Sequence, residues 1–175
     1  MNSKFAVFIA SWFGSGFIPP ILLKGMAGTY GSFFSLPLCW ALLYFGQDSS
    51  PLWYGIAFVV IFFLGLATVR PAELAIGPRT DWKGKTKDRD QNQIVIDETF
   101  GMLYACSPLC FYEVNHLFWA LFLAFVLFRF FDIVKVPPTR FFDRMKNPVG
   151  VMMDDAVAGV YAALVLMIII KIWQI

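Results

Sequence analysis

The chain has 175 residues, with 14 Lys and Arg against 12 Asp and Glu and a single His, so its formal net charge is only +2. It is 59% hydrophobic and 15% charged, with a mean hydropathy of +0.67, whereas soluble domains carry about 25% charged residues. That balance argues against a soluble domain and against a nucleic-acid partner, and implies one membrane-embedded helical domain over 1–175.

At the N-terminus, Lys4 and the run "FAVFIASWFGSGFIPP" imitate a signal peptide, but Gly14, Gly16, Pro19 and Pro20 break the pattern. The segment is therefore expected to belong to the mature protein. The stretch "GSGFIPPILLKGMAGTYGS" resists a continuous helix because of its glycines and prolines. Thr29 or Ser32 would cap an apolar segment over 33–46, whose exposed N–H groups form an anion site. Small residues allowing close helix packing account for the same pattern equally well.

Further apolar stretches lie at 52–69, 99–112, 117–131 and 156–174. A crossing takes about 20 apolar residues, which only 52–69 and 156–174 approach. The expected fold is an all-α polytopic membrane bundle of four or five embedded helices, with short or re-entrant helices besides. Arg70, Arg79, Lys83, Lys85, Lys87 and Arg89 fall in the hydrophilic loop at about 70–96. Arg129, Lys135, Arg140, Arg144 and Lys146 form a second basic group. Basic loops stay cytoplasmic, and both share one side if the chain turns at the far side near Asn115 and His116 and around "GQDSSP".

Acidic residues gather at the ends of the same segments. Asp97 and Glu98 precede 99–112, and Asp154 and Asp155 open the last span. Between them lie Asp132 and Asp143, with Arg129 three residues before Asp132 and so on its helix face. Acids in a first turn are favoured by the helix dipole alone, but ionisable groups at membrane depth point to function. Six carboxylates on one face repel one another unless a cation sits among them. An all-oxygen set selects Mg²⁺, Mn²⁺ or Ca²⁺, and Mg²⁺ with Arg129 and Lys135 alongside suits phosphoryl chemistry.

The motifs "FGSG", "GTYGS", "IVIDETFGM", "FRFFDIVK", "FFDR" and "GVMMDDAVAG", in this order, resemble bacterial phosphatidylglycerophosphatase A over almost the whole chain. The resemblance implies Mg²⁺-dependent hydrolysis of phosphatidylglycerophosphate to phosphatidylglycerol at the cytoplasmic face of a bacterial inner membrane. Matched by position, the acids are Asp97, Glu98, Asp132, Asp143, Asp154 and Asp155, all candidate metal ligands. Asp97, Glu98, Asp132 and Asp155 are the candidate catalytic groups. Arg129, Lys135 and Arg144, with Thr29 and Ser32, are the candidate phosphate contacts, and Asp90 aligns with a further acidic position. Ala27 and Val136 stand where the family has proline, and the hydrophilic loop is longer than usual.

The expected mechanism has carboxylates holding one or two Mg²⁺ ions, Arg129 and Lys135 holding phosphate, and Asp97 or Glu98 orienting water. A covalent aspartyl-phosphate is less favoured, since no DxDx(T/V) motif is present. One histidine excludes two-histidine lipid phosphatases. Phe45, Tyr112 and His116 stand six residues after Cys39, Cys106 and Cys110, where cysteine phosphatases need arginine, so the thiols read as buried apolar groups. The rival readings are a small cation transporter or channel, a lipid-binding scaffold, and a phosphatase for another lipid phosphate.

Overall fold

The structure, a computed structural model, describes residues 2–18, 27–80, 86, 87, 91, 93–143, 145 and 147–173. For residues 79, 80, 86, 87, 140, 143 and 173 only the backbone is described. Helix α1 (Ser3–Ala10) is capped by Asn2, whose Oδ1 accepts from the Lys4 N–H at 3.1 Å. After a 3-10 turn at Ser15–Phe17 come α2 (Ala27–Gly46) and α3 (Ser50–Ile76), divided by a 3-10 turn at Gln47–Ser49. A two-residue antiparallel ribbon follows, β1 (Arg79–Thr80) with β2 (Thr86–Lys87), pairing Arg79 with Lys87. The elements that follow are helices: α4 (Ile96–Cys106) with a 3-10 turn at Ser107–Cys110, α5 (Leu117–Val134), the short α6 (Thr139–Asp143) and α7 (Pro148–Trp173). The all-α bundle read from the sequence is the fold observed.

Among the described residues, three helical stretches are long and apolar enough to cross a membrane: Ala27–Ile76, Leu117–Val134 and Pro148–Ile172. The first is α2 and α3 together. Large apolar side chains such as Phe63 of α3 and Phe118 and Ile133 of α5 are each more than half exposed, as a lipid-facing surface requires. Helix α4 is the opposite case. It is only 11 residues long, too short to cross alone, and is buried along most of its length by α2, α3, α5 and α7.

The ends of these helices sort into two groups. The α2–α3 junction (Gln47, Asp48, Ser50) and the connection from α4 to α5 (Leu109 to Leu117) line one cavity of about 490 Å³. The Lys171 ammonium, near the end of α7, sits 5.6 Å over the Tyr112 ring at this same end. The starts of α2 and α4, the end of α5 and the early turns of α7 meet at the other end, where the charges are.

Two segment boundaries differ from the sequence expectation. Helix α2 starts at Ala27 rather than 33, so Thr29 and Ser32 lie within its first two turns and do not cap it. Ser32 instead donates back to the Gly28 carbonyl at 2.8 Å. Helix α7 starts at Pro148 rather than 156. Asn147 Oδ1 accepts from the Gly150 N–H at 2.7 Å, and proline is favoured at a first helical position. Asp154 and Asp155 therefore lie two turns inside α7 and do not open it.

The crossing of α4 over α7 is made possible by two glycines. A Cβ at Gly159 would lie 2.3 Å from the Gly101 carbonyl oxygen, and one at Gly101 would lie 2.4 Å from Phe128 Cε2 and 2.7 Å from the Asp155 carbonyl oxygen. Backbone cannot move aside for a methyl group as a flexible side chain can. Gly159→Ala is therefore expected to force the two helices apart at about 1–3 kcal/mol or more. The check is a lowered thermal midpoint, measured in detergent.

Candidate functional site

Three helices bring the charged side chains together, and α2 packs against them. Asp97 and Glu98 occupy the first turn of α4, Arg129 and Asp132 the last turns of α5, and Asp155 the third turn of α7. One oxygen from each of Asp97, Glu98 and Asp155 lies within 4.8 Å of the other two. Asp155 is only 6% exposed, and Asp132, Asp97 and Asp154 are all within electrostatic reach of it. Sequence reading places the acids at segment ends, on a surface; the cluster is instead recessed, because α7 extends two turns beyond its aspartates.

Arg129 is held from two sides. Its Nη1 pairs with Asp132 Oδ2 at 2.7 Å and donates to Ser32 Oγ at 3.4 Å. The i, i+3 pairing is the one its spacing implies. Gly28, one turn before Ser32, lies against both charges. A Cβ there would come within 2.2 Å of Glu98 Oε1 and 3.3 Å of Arg129 Nη1. The α2 backbone thus lies directly against Glu98, and a side chain at position 28 would require the Glu98 carboxylate to shift. Ser35 and Thr99 join the same two helices one turn deeper, hydroxyl to hydroxyl at 2.7 Å.

Lys135 follows α5 in the left-handed region, with φ 49°, and its Nζ meets Asp154 Oδ2 at 2.5 Å. Asp154 therefore faces Lys135 while Asp155 faces α4, as adjacent residues on a helix must diverge by about 100°. Thr29 lies in the first turn of α2, one residue from Gly28, half-buried. The Asp143 side chain, Arg144 and Asp90 lie outside the described residues.

The electrostatics follow from this crowding. Burial pushes the Glu98 carboxyl well above the ordinary carboxylate range. The neighbouring Asp97 and Asp155 charges add to the effect, as does a hydrogen bond with Asp97, while Arg129 opposes it. Glu98 Oε2 and Arg129 Nε are both buried without a hydrogen-bond partner among the described residues. A buried acceptor left unmade costs about 1–3 kcal/mol, so a group that ligates it offsets that cost. Oxygens around one Mg²⁺ at about 2.1 Å stand about 3 Å apart when adjacent and about 4 Å when opposed. Three carboxylates are hard donors, and their number and spacing fit such a cation.

Sequence reasoning missed Glu73, which is 4% exposed and pairs with Arg70 at 3.1 Å in the last turns of α3. Its signal was the i, i+3 spacing in "VRPAEL". It missed Gly28 as a contact of Glu98, since a glycine's neighbour is invisible without the fold.

The sequence model of the family described as phosphatidylglycerophosphatase A matches residues 8–170. A Bacteroides thetaiotaomicron protein provisionally named a phosphatidylinositol-3-phosphatase is 35% identical over 158 residues, 89% of this chain and 87% of that protein. The phosphatidylglycerophosphatase A of Escherichia coli is 30% identical over 168 residues, 95% of this chain and 84% of that protein. That of Haemophilus influenzae is 39% identical over 88 residues, covering 49% of this chain and 50% of that protein. No solved structure matches the chain significantly. A match that runs from α1 almost to the end of α7, and takes in every element that carries a charge of the cluster, places the chain in the phosphatidylglycerophosphatase A family of phosphatases.

Proposed function

We propose that the protein hydrolyses phosphatidylglycerophosphate to phosphatidylglycerol and phosphate, with Mg²⁺ held by Asp97, Glu98 and Asp155. The observation that carries this reading is the convergence of those three carboxylates beside an arginine that is fixed by Asp132 and Ser32. Such an ion would offset the carboxylate charge, polarise the phosphate and acidify a water molecule.

The residues of the chain do the rest. Arg129, with its Nη1 already engaged, offers Nε and its remaining N–H groups to phosphate oxygens, and a planar guanidinium matches two of them at once. Lys135 adds a point charge from the mouth of the site, drawn there by Asp154. Asp97 or Glu98 orients the attacking water and accepts its proton. Arg70, Arg129 and Lys135 stand at the helix ends that carry the cluster, and the basic residues of the sequence favour the cytoplasmic side for that end, so the lipid phosphate arrives from the cytoplasmic leaflet of a bacterial inner membrane. The chain crosses that membrane several times.

A second substrate is favoured by one observation, the provisional name of the Bacteroides thetaiotaomicron relative, which matches over most of both chains. The test therefore offers purified protein both phosphatidylglycerophosphate and phosphatidylinositol 3-phosphate in micelles, with Mg²⁺ and with EDTA. Mg²⁺-dependent release from the first lipid, at least about tenfold faster than from the second, is the expected result. Equal release with EDTA would remove the metal from the mechanism. No release from any lipid phosphate would hand the cluster to the ion-transport reading.

The same protein has a pH signature. Glu98 holds its proton more tightly when folded than an unfolded glutamate does, so the folded state binds more protons and stability falls as pH rises. The loss begins at the ordinary glutamate range and continues to the raised value. Cation binding requires that proton to leave, so affinity rises with pH over the same window. Metal-free protein is expected to melt lower at pH 8 than at pH 6, with Mg²⁺ reversing the trend. Thermal scans with and without EDTA check it, and a metal-free midpoint that rises with pH would contradict it.

A further inference from the structure

The turn that follows α5 is tied to α7 at two points, and only one of them is a charge. Asp154 takes Lys135 at the first. At the second, the Tyr161 hydroxyl donates to the Pro137 carbonyl at 2.7 Å. Asp154 and Tyr161 are seven residues apart, two turns along one stripe of α7, so a single helix face meets both ends of the turn. The Tyr161 ring is also stacked on Phe131 of α5, with centroids 5.5 Å apart and planes at 26°.

Among the described residues, the backbone of the turn past Lys135 has few other means of being held. Pro137 and Pro138 have no N–H to donate, which leaves carbonyl oxygens as the fastening points of that stretch. The Val136 carbonyl is already taken by Thr139, from its N–H at 3.0 Å and its hydroxyl at 2.5 Å. The Pro137 carbonyl is the one given to α7. Lys135 itself stands at φ 49° and ψ 64°, a region a lysine rarely occupies, so its backbone does not hold that conformation by preference.

We propose that Tyr161 is a positioning residue: by fastening the Pro137 carbonyl to α7, it keeps Lys135 in its left-handed conformation with the ammonium on Asp154 at the mouth of the site. This rests on the reading of Lys135 as a phosphate contact, and the strap itself can be tested apart from that reading. Tyr161→Phe keeps the stack on Phe131 and removes only the hydroxyl.

The first readout needs no activity. With the full-length protein in detergent, acetic anhydride labelling of Lys135, read by mass spectrometry, is expected to rise about threefold in Tyr161→Phe, since an ion pair that is no longer held exposes its amine. Lys4 and Lys171 serve as internal references and should not change. The second readout is kinetic. KM for the lipid phosphate is expected to rise about fivefold with kcat within about twofold, and Tyr161→Phe should add nothing in a Lys135→Met background. Unchanged labelling at Lys135, or effects of the two substitutions that multiply independently, would overturn the proposal. Raised labelling in a protein that hydrolyses no lipid phosphate would uphold the link from Tyr161 to Lys135 and sink the phosphatase assignment instead.

Discussion

Asp155→Asn is expected to remove phosphate release by about a thousandfold or more while raising the thermal midpoint of the metal-free protein. The two effects have opposite signs because they come from one cause. Asp155 is 6% exposed and its carboxylate shares an oxygen cluster with Asp97 and Glu98. Asp132 and Asp154 add their charge from either side. Without a cation, each carboxylate in such a set destabilises the others, so a neutral amide of the same shape relieves the fold. Function that stores strain of this kind is recovered as stability when the residue is neutralised. A Mn²⁺ titration should lose its site together with activity. If Asp155 were merely an anchor for Arg129, the asparagine variant would melt lower and keep its activity, and the assignment of the cluster would fall.

Some of this arrangement was legible in the sequence, and the reasons are local. Asp97 and Glu98 precede an apolar run, and acids in a first turn announce a helix start; α4 begins at Ile96. Arg129 and Asp132 are three apart on a helix, and that spacing alone puts them in contact. The two-sided sorting of helix ends followed from where the basic residues lie.

What was not legible depended on long-range packing. The pair Asp154 and Asp155 looked like the opening of a span because hydropathy rises only after them. The dipeptide of Asn147 and Pro148 is a cap followed by a preferred first residue, and it locates the true start of α7. That signal was in the sequence and was outweighed by the apolar count. Gly28, Gly101 and Gly159 could be read only as small residues. Their partners are Glu98, Phe128, the Asp155 carbonyl and the Gly101 carbonyl, which are 54 or more residues away for all but Gly101 with Phe128. The short α4 became intelligible once it was seen to be enclosed. A helix wrapped by four others need not span, and its first turn can present carboxylates inside the bundle.

Arg129 should tolerate substitution even less well than the acids, and in a different way. Its guanidinium pairs with Asp132 at 2.7 Å, reaches Ser32 at 3.4 Å and lies beside Glu98 under the Gly28 backbone. Arg129→Met leaves those acids without it, a loss of roughly 3–5 kcal/mol for a buried pair broken from one side, and takes the phosphate contact as well. Activity is expected to fall by about a thousandfold or more. Arg129→Lys separates the two losses. A single ammonium replaces most of the charge, so stability should largely return, but it cannot pair with Asp132 and present a planar fork to phosphate together. Its kcat/KM should stay about a hundredfold below wild type. Adding Asp132→Asn to Arg129→Met removes a charge that the arginine had balanced, and should restore the melting temperature in part with no return of activity. Wild-type rates in Arg129→Lys would mean that charge alone suffices at this position, and the guanidinium would lose its place in the mechanism.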